Sequence, residues 1–503
     1  MKLHILILLL LASAVSSAVW YPLGNWIEEE GTPDLAGYCV ANSQDGKIIA
    51  VSAPHYAPEG KENLRFGRVV VYKFDETGEA WNKLGAEIIG EEGDQFGSSL
   101  GMSDDGKNII VGSLTELDEK RKAGKVDVFI LDNSTGGERW IPKGEGQLFG
   151  ENAFDEYGYS VDIRDGGEII AIGSPGEDNT INEAGAVRVY KWVSTDNSWQ
   201  SVEEVIRGKV VNGRYGQSLS LSQVGIIAIG SPQASESRGM VEMIRYNATL
   251  ATWVTDGVID PTTAINVGDM FGYSVSLSFD GTTVAIGAPH HRGGDMKEKK
   301  DSGAVTVHKY DSSSKKWTQV GDEIVGNRGG DEAGTSVHLS ENGNEVAFGS
   351  PYSSMNGLQS GHISVFNLVD NESKWDRMEL DIDGKKAYSN LGFSVALSGD
   401  GTQVMGGAPT EGYATVYQLA ETAAPTTSPT PPPPKSDPTP KTAKWYTVIF
   451  GILFIGLVVF IVFKITLWLL NRRSLAKFQS TAADDLELTP HGVPTDGETR
   501  DII

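Results

Sequence analysis

The chain has 503 residues, of which 60 are glycine and 39% are hydrophobic, and its formal net charge is −25. This length suffices for several domains or for one large repeat array. The negative charge argues against nucleic acid or an anionic membrane surface as the main partner, because both attract basic surfaces. The composition instead favours an acidic extracellular module.

The first 18 residues have the pattern of a secretory signal peptide. Lys2 and His4 precede the apolar run ILILLLLA, and Ser16-Ser17-Ala18 provide a small-residue cleavage site. The apolar run is too short to span a bilayer, so we expect cleavage near Ala18. Cys39 is the only cysteine, which excludes an intrachain disulfide, and we interpret it as a small buried residue.

A unit of four short strands is clearest from Phe271 onwards. It reads FGYSVSLSFDGTTVAIGAP, then a polar loop, then GAVTVHKY, and then WTQVGDEIVG. Alternation of apolar and polar residues predicts β-strands. Asp280-Gly281 predicts a two-residue hairpin turn in which both residues have positive φ.

This unit recurs seven times at nearly even spacing. The successive gaps between the glycines of its aromatic-Gly start are 60, 61, 58, 56, 62 and 58 residues, and these glycines are Gly37, Gly97, Gly158, Gly216, Gly272, Gly334 and Gly392. The first six units end with a fourth run that opens at Trp81, Trp140, Trp199, Trp253, Trp317 or Trp375. We interpret these tryptophans as packing wedges between units rather than as ligand platforms.

The seventh unit lacks its fourth run, and the missing run lies at the other end of the chain. Residues 19–27, VWYPLGNWI, match the pattern of WNKLGAEII. Closing a ring with this strand removes the exposed sheet edges that an open array would have. The sequence therefore predicts an all-β ectodomain, a seven-bladed β-propeller over residues 19–420 whose last blade is closed by the N-terminal strand.

The Phe-Gly and Gly-Ala-Pro motifs of the repeat resemble the FG-GAP repeats of integrin α-subunit propellers. They are seen best at Phe271-Gly272 and Gly287-Ala288-Pro289. The resemblance covers roughly residues 19–419 and implies an adhesion or recognition head. One departure concerns calcium. Integrin-type blades often carry an acidic calcium loop between their first two strands, whereas here the corresponding turn has one Asp or Asn, as at Asp45-Gly46. Calcium needs six to eight oxygen ligands, so we predict no metal site and no cofactor.

The chain leaves the propeller through a Pro- and Thr-rich stretch, residues 421–444, which we interpret as an extended stalk. Residues 445–470 form a long apolar run flanked by Trp445 and by Arg472 and Arg473. This pattern predicts a single transmembrane helix in a type I orientation, with residues 471–503 as a cytoplasmic tail. The terminal Ile502-Ile503 resembles a sorting signal or a ligand of PDZ-type domains.

Strand alternation assigns each loop to one of two faces. The loops between strands 2 and 3, and those from strand 4 to the next blade, share one face, here called the upper face. The turns between strands 1 and 2, and between strands 3 and 4, share the lower face. The last predicted strand ends on the lower face, so we expect that face to look toward the membrane and the upper face to recognise a partner.

Five aspartates precede the repeated glycine by three residues: Asp34, Asp94, Asp155, Asp269 and Asp331. One interpretation is an acidic ring near the mouth of the central channel that attracts a cation or a basic ligand. The other is a set of turns in which each carboxylate accepts backbone N–H groups, and we favour the turns. Both interpretations place these residues on the upper face.

No catalytic motif is present, so we predict that the protein is not an enzyme. The first hypothesis is a single-pass plasma-membrane protein whose propeller binds an extracellular protein or glycan. The second is a sorting or cargo receptor of an endosomal or vacuolar membrane. A propeller hydrolase is the third.

Three N-x-S/T sequons, at Asn133, Asn247 and Asn371, all fall just before a fourth-run tryptophan. Because equivalent turns of a secreted propeller are exposed on one face, we predict glycans at all three positions. Mass spectrometry after enzymatic deglycosylation in heavy-oxygen water should find Asn converted to labelled Asp at each site. Three unmodified asparagines would overturn the prediction.

Overall fold

A computed structural model describes residues 18–421, except 29–33, 62–63, 115–122, 135, 145–146, 179–180, 248, 261–265, 294–299 and 370–373. Seven antiparallel sheets follow one another along this part of the chain, and the last is completed by the N-terminal strand. The fold is therefore a seven-bladed β-propeller, as predicted. Blades are numbered here from 1 to 7 in the order of their innermost strands.

Each blade has the same strand order from the channel outwards. The innermost strands are Val40–Asn42, Phe96–Met102, Ser160–Arg164, Ser218–Leu221, Ser274–Leu277, Ser336–Leu339 and Ser394–Leu397. The second strands are Ile48–Ala53, Asn108–Ser113, Ile169–Ser174, Ile226–Gly230, Thr283–Ala288, Glu345–Ser350 and Gln403–Ala408. The third strands are Arg68–Asp75, Lys125–Asp132, Ala186–Val193, Val241–Asn247, Ala304–Asp311, His362–Val369 and Tyr413–Glu421.

The outermost strand is broken into two pieces in six of the blades. From blade 1 to blade 7 the pieces are Ala80–Lys83 with Ile88–Ile89, Arg139–Pro142 with Leu148–Phe149, Ser198–Ser201 with Ile206–Arg207, the unbroken Thr252–Ile259, Lys316–Gln319 with Ile324–Val325, Lys374–Arg377 with Ile382–Asp383, and Ala18–Pro22 with Ile27–Glu28. Short helical turns occur at Asp165–Gly167 and Ala234–Ser237.

The N-terminal strand closes the ring in the predicted way. Ala18–Pro22 pairs antiparallel with the third strand of blade 7, with Ala18 opposite Glu421 and Pro22 opposite Tyr417. Ile27 lies opposite Ala414 in the second piece. Blade 7 is therefore built from both ends of the described chain, so the ring is closed by strand pairing rather than by a covalent link.

Hydrophobic packing lies between neighbouring blades. Met243 and Ile259 of blade 4, for example, pack in one cluster with Phe271, Val275 and Ile286 of blade 5. Many residues of this cluster are β-branched or aromatic, which suits a sheet buried on both faces. Burial between blades explains why each blade needs a neighbour to be stable.

The repeated glycines form the inner seam between blades. In blades 2 to 6 the serine two residues after the repeated glycine donates its hydroxyl hydrogen to the carbonyl of the next blade's repeated glycine, as from Ser274 to Gly334 over 2.8 Å. The same contact is made by Ser99, Ser160, Ser218 and Ser336. In blade 7 the hydroxyl of the corresponding Ser394 accepts the backbone N–H of Val40 in blade 1. A glycine near the end of the second strand lies against the carbonyl of the next blade's repeated glycine in six blades. We call these the landmark glycines, and they are Gly112, Gly173, Gly230, Gly287, Gly349 and Gly407.

The seam between blades 1 and 2 uses a different pair of residues. Cys39 replaces the serine, and its thiol lies 3.4 Å from the carbonyl oxygen of Ser98. Ser52 replaces the landmark glycine, and its hydroxyl accepts the backbone N–H of Cys39. Burial raises the pKa of the Cys39 thiol to about 12. Cys39 as a whole residue is half-buried, and its thiol stays protonated at neutral pH, which makes it a weak nucleophile.

Tryptophans form an outer seam. The indole N–H of Trp81 donates to the carbonyl of Leu23 in blade 7, and that of Trp140 donates to Leu84 in blade 1. Trp199, Trp253 and Trp375 repeat this contact with the preceding blade. These contacts agree with packing wedges, because each ring lies between two blades and hydrogen-bonds one of them.

The Asp-Gly turns differ from the two-residue prediction. In blade 5, Ser278 N–H donates to the carbonyl of Thr283, so residues 279–282 form a four-residue loop. Gly281 has positive φ, whereas Asp280 does not. The Asp280 carboxylate instead accepts hydrogen bonds from the Ser278 hydroxyl and the Thr282 backbone. The local serine and aspartate contacts stabilise a longer turn than the Asp-Gly pair alone indicates.

The described residues contain no helix that is long and apolar enough to cross a membrane. Residues 1–17 and 422–503 lie outside the described part of the chain. These ranges contain nearly all of the predicted signal peptide and stalk. They also contain the predicted transmembrane segment and the tail with its terminal Ile502-Ile503.

The inner seam predicts that Gly287→Ala is strongly destabilising. A Cβ atom there would lie 2.1 Å from the Gly334 carbonyl oxygen, a backbone atom that cannot move without opening the seam. We expect a loss of about 3 kcal/mol or more in the free energy of unfolding, or failure to fold. Urea unfolding of the purified full-length chain measures this loss.

Gly137→Ala is the matched control, because a Cβ atom at Gly137 meets nothing within 4 Å. It should unfold within about 0.5 kcal/mol of the native chain. Equal stability of the two variants would show that the glycine contact does not hold the blades together.

Candidate functional site

The five predicted aspartates lie in the loops that lead into blades 1, 2, 3, 5 and 6. Their exposed fractions are between 0% and 3%, and they are Asp34, Asp94, Asp155, Asp269 and Asp331. Four of the carboxylates accept the backbone N–H of the residue three positions earlier, as Asp94 does from Glu91 over 2.8 Å. Asp34 accepts the N–H of Ala36. These are the contacts of turn-forming carboxylates.

Three of these aspartates also pair with a cationic side chain of their own blade. Asp34 pairs with Arg68 over 3.2 Å, and Asp94 pairs with Lys125 over 2.5 Å. Both cations are the first residues of third strands. The carboxylates therefore lie beside the upper ends of third strands, farther from the axis than the sequence-based placement at the channel mouth. The loop brings each aspartate over its own blade before the chain reaches the innermost strand.

Asp269 pairs instead with a histidine. His291 Nδ1 lies 2.9 Å from the Asp269 carboxylate, and its Nε2 lies 3.5 Å from Glu323. Burial lowers the pKa of His291, but the two carboxylates outweigh burial and raise it to about 9. A protonated His291 thus replaces the Arg68 and Lys125 of other blades. Within the described part of the chain, no group of three or more His, Cys, Asp or Glu side chains could hold a metal ion.

The centre of the upper face is aromatic. The residue directly after each repeated glycine lies half-buried at the upper end of an innermost strand. From blade 1 to blade 7 these residues are Tyr38, Ser98, Tyr159, Gln217, Tyr273, Thr335 and Phe393. Aromatic residues occupy the odd-numbered blades and small or polar ones occupy the even-numbered blades. We call Tyr38, Tyr159, Tyr273 and Phe393 the upper aromatic cluster.

Alternation lets large rings share a narrow opening. The only neighbours among the four are Tyr38 and Phe393, because blades 7 and 1 meet there, and their ring centroids lie 5.1 Å apart. Burial, together with the nearby phenols of Tyr159 and Tyr352, raises the pKa of Tyr273 to about 12. The hydroxyls therefore remain protonated and act as hydrogen-bond donors at physiological pH.

Charged side chains border the cluster. Arg214 forms an ion pair with Glu156, its Nε donates to Gln217 over 3.1 Å, and its guanidinium lies 5.6 Å from the ring centroid of Tyr159. Glu332 is half-buried, and burial raises the pKa of its carboxyl group. The centre of the upper face thus combines aromatic surface, phenolic donors and carboxylates.

The upper face also carries backbone strain. In all seven blades the residue two positions before the repeated glycine has φ between 50° and 61°, and these residues are Leu35, Gln95, Glu156, Arg214, Met270, Glu332 and Asn390. Positive φ costs a non-glycine residue about 1 kcal/mol. This cost occurs in every blade, because the turn with positive φ directs the backbone into the innermost strand.

A second strained position distinguishes the blades from one another. Four residues before the repeated glycine, blades 2, 5 and 6 have glycine with positive φ, at Gly93, Gly268 and Gly330. Blades 3 and 7 place bulky aromatics there, with φ of 72° at Phe154 and 65° at Tyr388. These side chains are 69% and 50% exposed. Large exposed side chains in a conformation suited to glycine are typical of binding sites.

The structure describes the asparagines of two of the three predicted sequons. Asn133 directly follows the third strand of blade 2 and is exposed, and Asn247 ends the third strand of blade 4. Asn133 therefore lies in a turn of the lower face, and Asn247 lies where the strand enters the equivalent turn. Asn371 lies outside the described residues.

No protein-family model matches the chain, and no curated protein is significantly similar to it. The seven-bladed fold is compatible with FG-GAP propellers, and the resemblance to that family rests on the repeated residues themselves.

Sequence reasoning missed the upper aromatic cluster. Its positions vary between copies, so a search for residues shared by all copies passes over them. The available signal was the alternation of residue types at one repeat position around a ring with an odd number of blades.

Buried histidines make the fold sensitive to acid. Burial lowers the pKa of His308 to about 4. His308 lies in the third strand of blade 5, where most other blades have Tyr or Phe, as at Phe129 and Phe366. Since its pKa is lower in the folded chain than its usual 6.5, its contribution to stability is complete above pH 6.5 and is lost as the pH falls toward 4.

We therefore predict that His308→Phe protects the propeller against acid. Between pH 7 and pH 4 the free energy of unfolding of the variant should fall by up to about 3 kcal/mol less than that of the native chain. Urea unfolding at several pH values measures the difference. Tyr310→Phe is the control on the same strand, and parallel pH profiles for all three chains would contradict the prediction.

Proposed function

We propose that this protein is a cell-surface recognition receptor whose propeller binds an extracellular protein or glycan at the centre of its upper face. In this proposal residues 445–470 anchor it in the plasma membrane, and the stalk holds the lower face toward the membrane. The observation that carries the proposal is the upper aromatic cluster, four large half-buried rings around the channel mouth.

The chemistry of the cluster suits recognition. Tyrosine gives a large contact area with few rotatable bonds, and its hydroxyl can hydrogen-bond a partner. Carboxylates of Glu156 and Glu332 stand beside the rings, so polar groups of a sugar or of a protein side chain would find partners there. Rigid inner strands fix the positions of these side chains, which lowers the entropy lost on binding.

Phe154 and Tyr388, the two aromatic residues with positive φ, also favour the upper face as the binding surface. Phe154 and Tyr388 stand on the upper-face loops of blades 3 and 7, so they lie outward from the cluster on different sides of the ring. Stability alone would favour glycine at both positions, as in blades 2, 5 and 6. Retention of aromatics at such positions is expected where they contact a partner.

The test replaces two members of the cluster with residues that equivalent positions of neighbouring blades already contain. The double variant Tyr159→Ser, Tyr273→Thr takes its residues from Ser98 and Thr335, so it should fold. Full-length chain in mild detergent, native and variant, is applied to arrays of glycans and of extracellular proteins. We expect the native chain to bind a defined set and the double variant to lose at least about tenfold in affinity.

Two further variants sharpen the result. Tyr388→Gly should weaken binding while raising the free energy of unfolding by about 1 kcal/mol, because it relieves strain. Tyr21→Ser alters a tyrosine that is 41% exposed on the outermost strand of blade 7 and should leave binding unchanged. Binding that survives the double variant but is lost in Tyr21→Ser would place recognition on the outer rim and refute the proposal.

A further inference from the structure

The lower half of the central channel contains a cavity of about 240 Å³. It is lined by the innermost strands and by the turns between strands 1 and 2, and Gln44, Phe279 and Glu341 stand exposed at its lower mouth. A water molecule occupies about 30 Å³ in the liquid, so the space corresponds to roughly eight waters. This space is enough for a small molecule.

The cavity exists because one repeat position differs around the ring. Four residues after the repeated glycine, blades 7, 1 and 2 have Ala396, Ala41 and Gly101, which leave space. Blades 3 to 6 have polar residues at the same position, namely Asp162, Ser220, Ser276 and His338. The channel therefore has one wall of small residues and an opposite wall of polar ones.

The polar wall is held in place by the next blade. Ser220 accepts the backbone N–H of Leu277, and Ser276 accepts that of Leu339. His338 uses Nδ1 to accept the N–H of Leu397 over 3.2 Å. Its pKa is lowered to about 4 by burial, so the ring is neutral and its proton is on Nε2. No described residue accepts a hydrogen bond from that Nε2, which leaves a fixed donor in the cavity wall.

The charges of the lining are unbalanced. Arg164 lies 3.3 Å from Asp162 and 3.8 Å from Asp104. Glu341 is the third carboxylate of the lining, so three carboxylates face one guanidinium. Burial and these neighbouring carboxylates raise the pKa of Asp104, against the opposing effect of Arg164. A cation in the cavity would relieve this excess of negative charge.

Two observations favour an organic cation over a metal ion. Within the described residues no group of three or more His, Cys, Asp or Glu side chains could hold a metal ion. The wall also offers donors, on Arg164 and His338, and a bare metal ion cannot use them. A ligand that matches the whole lining has an ammonium group for Asp104 and Glu341 and an acceptor for Arg164 or His338.

We propose that the lower channel cavity binds a small primary amine that also carries a hydrogen-bond acceptor, the chemistry of basic amino acids and amino alcohols. The ammonium group lies between the carboxylates of Asp104 and Glu341. The acceptor meets the guanidinium of Arg164 and the Nε2–H of His338. This site is on the face opposite the upper aromatic cluster and does not depend on the function proposed above.

Isothermal titration of the full-length chain with L-lysine and with ethanolamine tests the proposal. We expect saturable binding of at least one of them, with a rise in melting temperature. Tetramethylammonium, which has the charge but no N–H group, should bind at least about tenfold more weakly. Asp104→Asn and Glu341→Gln should each weaken amine binding by about tenfold or more, because each removes one ammonium partner.

Glu76→Gln is the matched control. It removes one carboxylate whose side chain is 68% exposed in a turn of the same face, outside the cavity, and it should bind the amines like the native chain. Urea unfolding shows whether each variant is folded. Absence of amine binding by the native chain would overturn the proposal, as would equal loss in Glu76→Gln. Binding of calcium in preference to both amines, abolished by Asp104→Asn, would replace it with a metal site.

Discussion

The inner seam is the contact on which the ring depends. A serine hydroxyl and a glycine Cα from one blade meet the carbonyl of a glycine in the next, as Ser274 and Gly287 meet Gly334. The serine hydroxyl can hydrogen-bond this carbonyl in place of water only because no side chain lies between the two backbones. Five seams have both contacts, and the two seams that flank blade 1 use variations of them at Cys39 and Ser394. These close approaches let the blades bury their apolar faces, so the hydrophobic core follows from the seam.

A rigid ring allows both faces to carry side chains that do not serve stability. Positive φ at Tyr388 and Phe154 costs free energy that the inter-blade contacts offset. In the lower channel, alanines and a glycine replace side chains that could have filled the space. The seam thus stabilises a scaffold in which the upper face presents aromatic surface and the lower channel presents charge.

The sequence was sufficient to predict the propeller, because the seam requires particular residues at fixed positions in almost every copy. Ring closure was also predictable, since Trp20 and Leu23 match a pattern seen in the other outermost strands. Turn length was predicted incorrectly at Asp280-Gly281, where a hydrogen bond between Ser278 and Asp280 favours a longer loop. The Asp-Gly pair by itself does not carry that information.

The candidate sites were less predictable for a geometric reason. Tyr38 and Tyr273 are more than two hundred residues apart, and only the closed ring brings them to one opening. The lower cavity depends on which blades have small residues and which have polar ones at a single repeat position. A property that arises from differences between copies is hidden when the copies are compared for what they share.

Ring closure by the N-terminal strand has a mechanical consequence. The third strand of blade 7, Tyr413–Glu421, pairs with Gln403–Ala408 on one side and with Ala18–Pro22 on the other. Tension transmitted through the chain beyond Glu421 acts along this strand. Pulling it out requires two antiparallel ladders to slide at once, whereas a strand at a free edge could be peeled away one hydrogen bond at a time. If the chain beyond Glu421 anchors the propeller as proposed, the anchor pulls on a strand that bears load in shear.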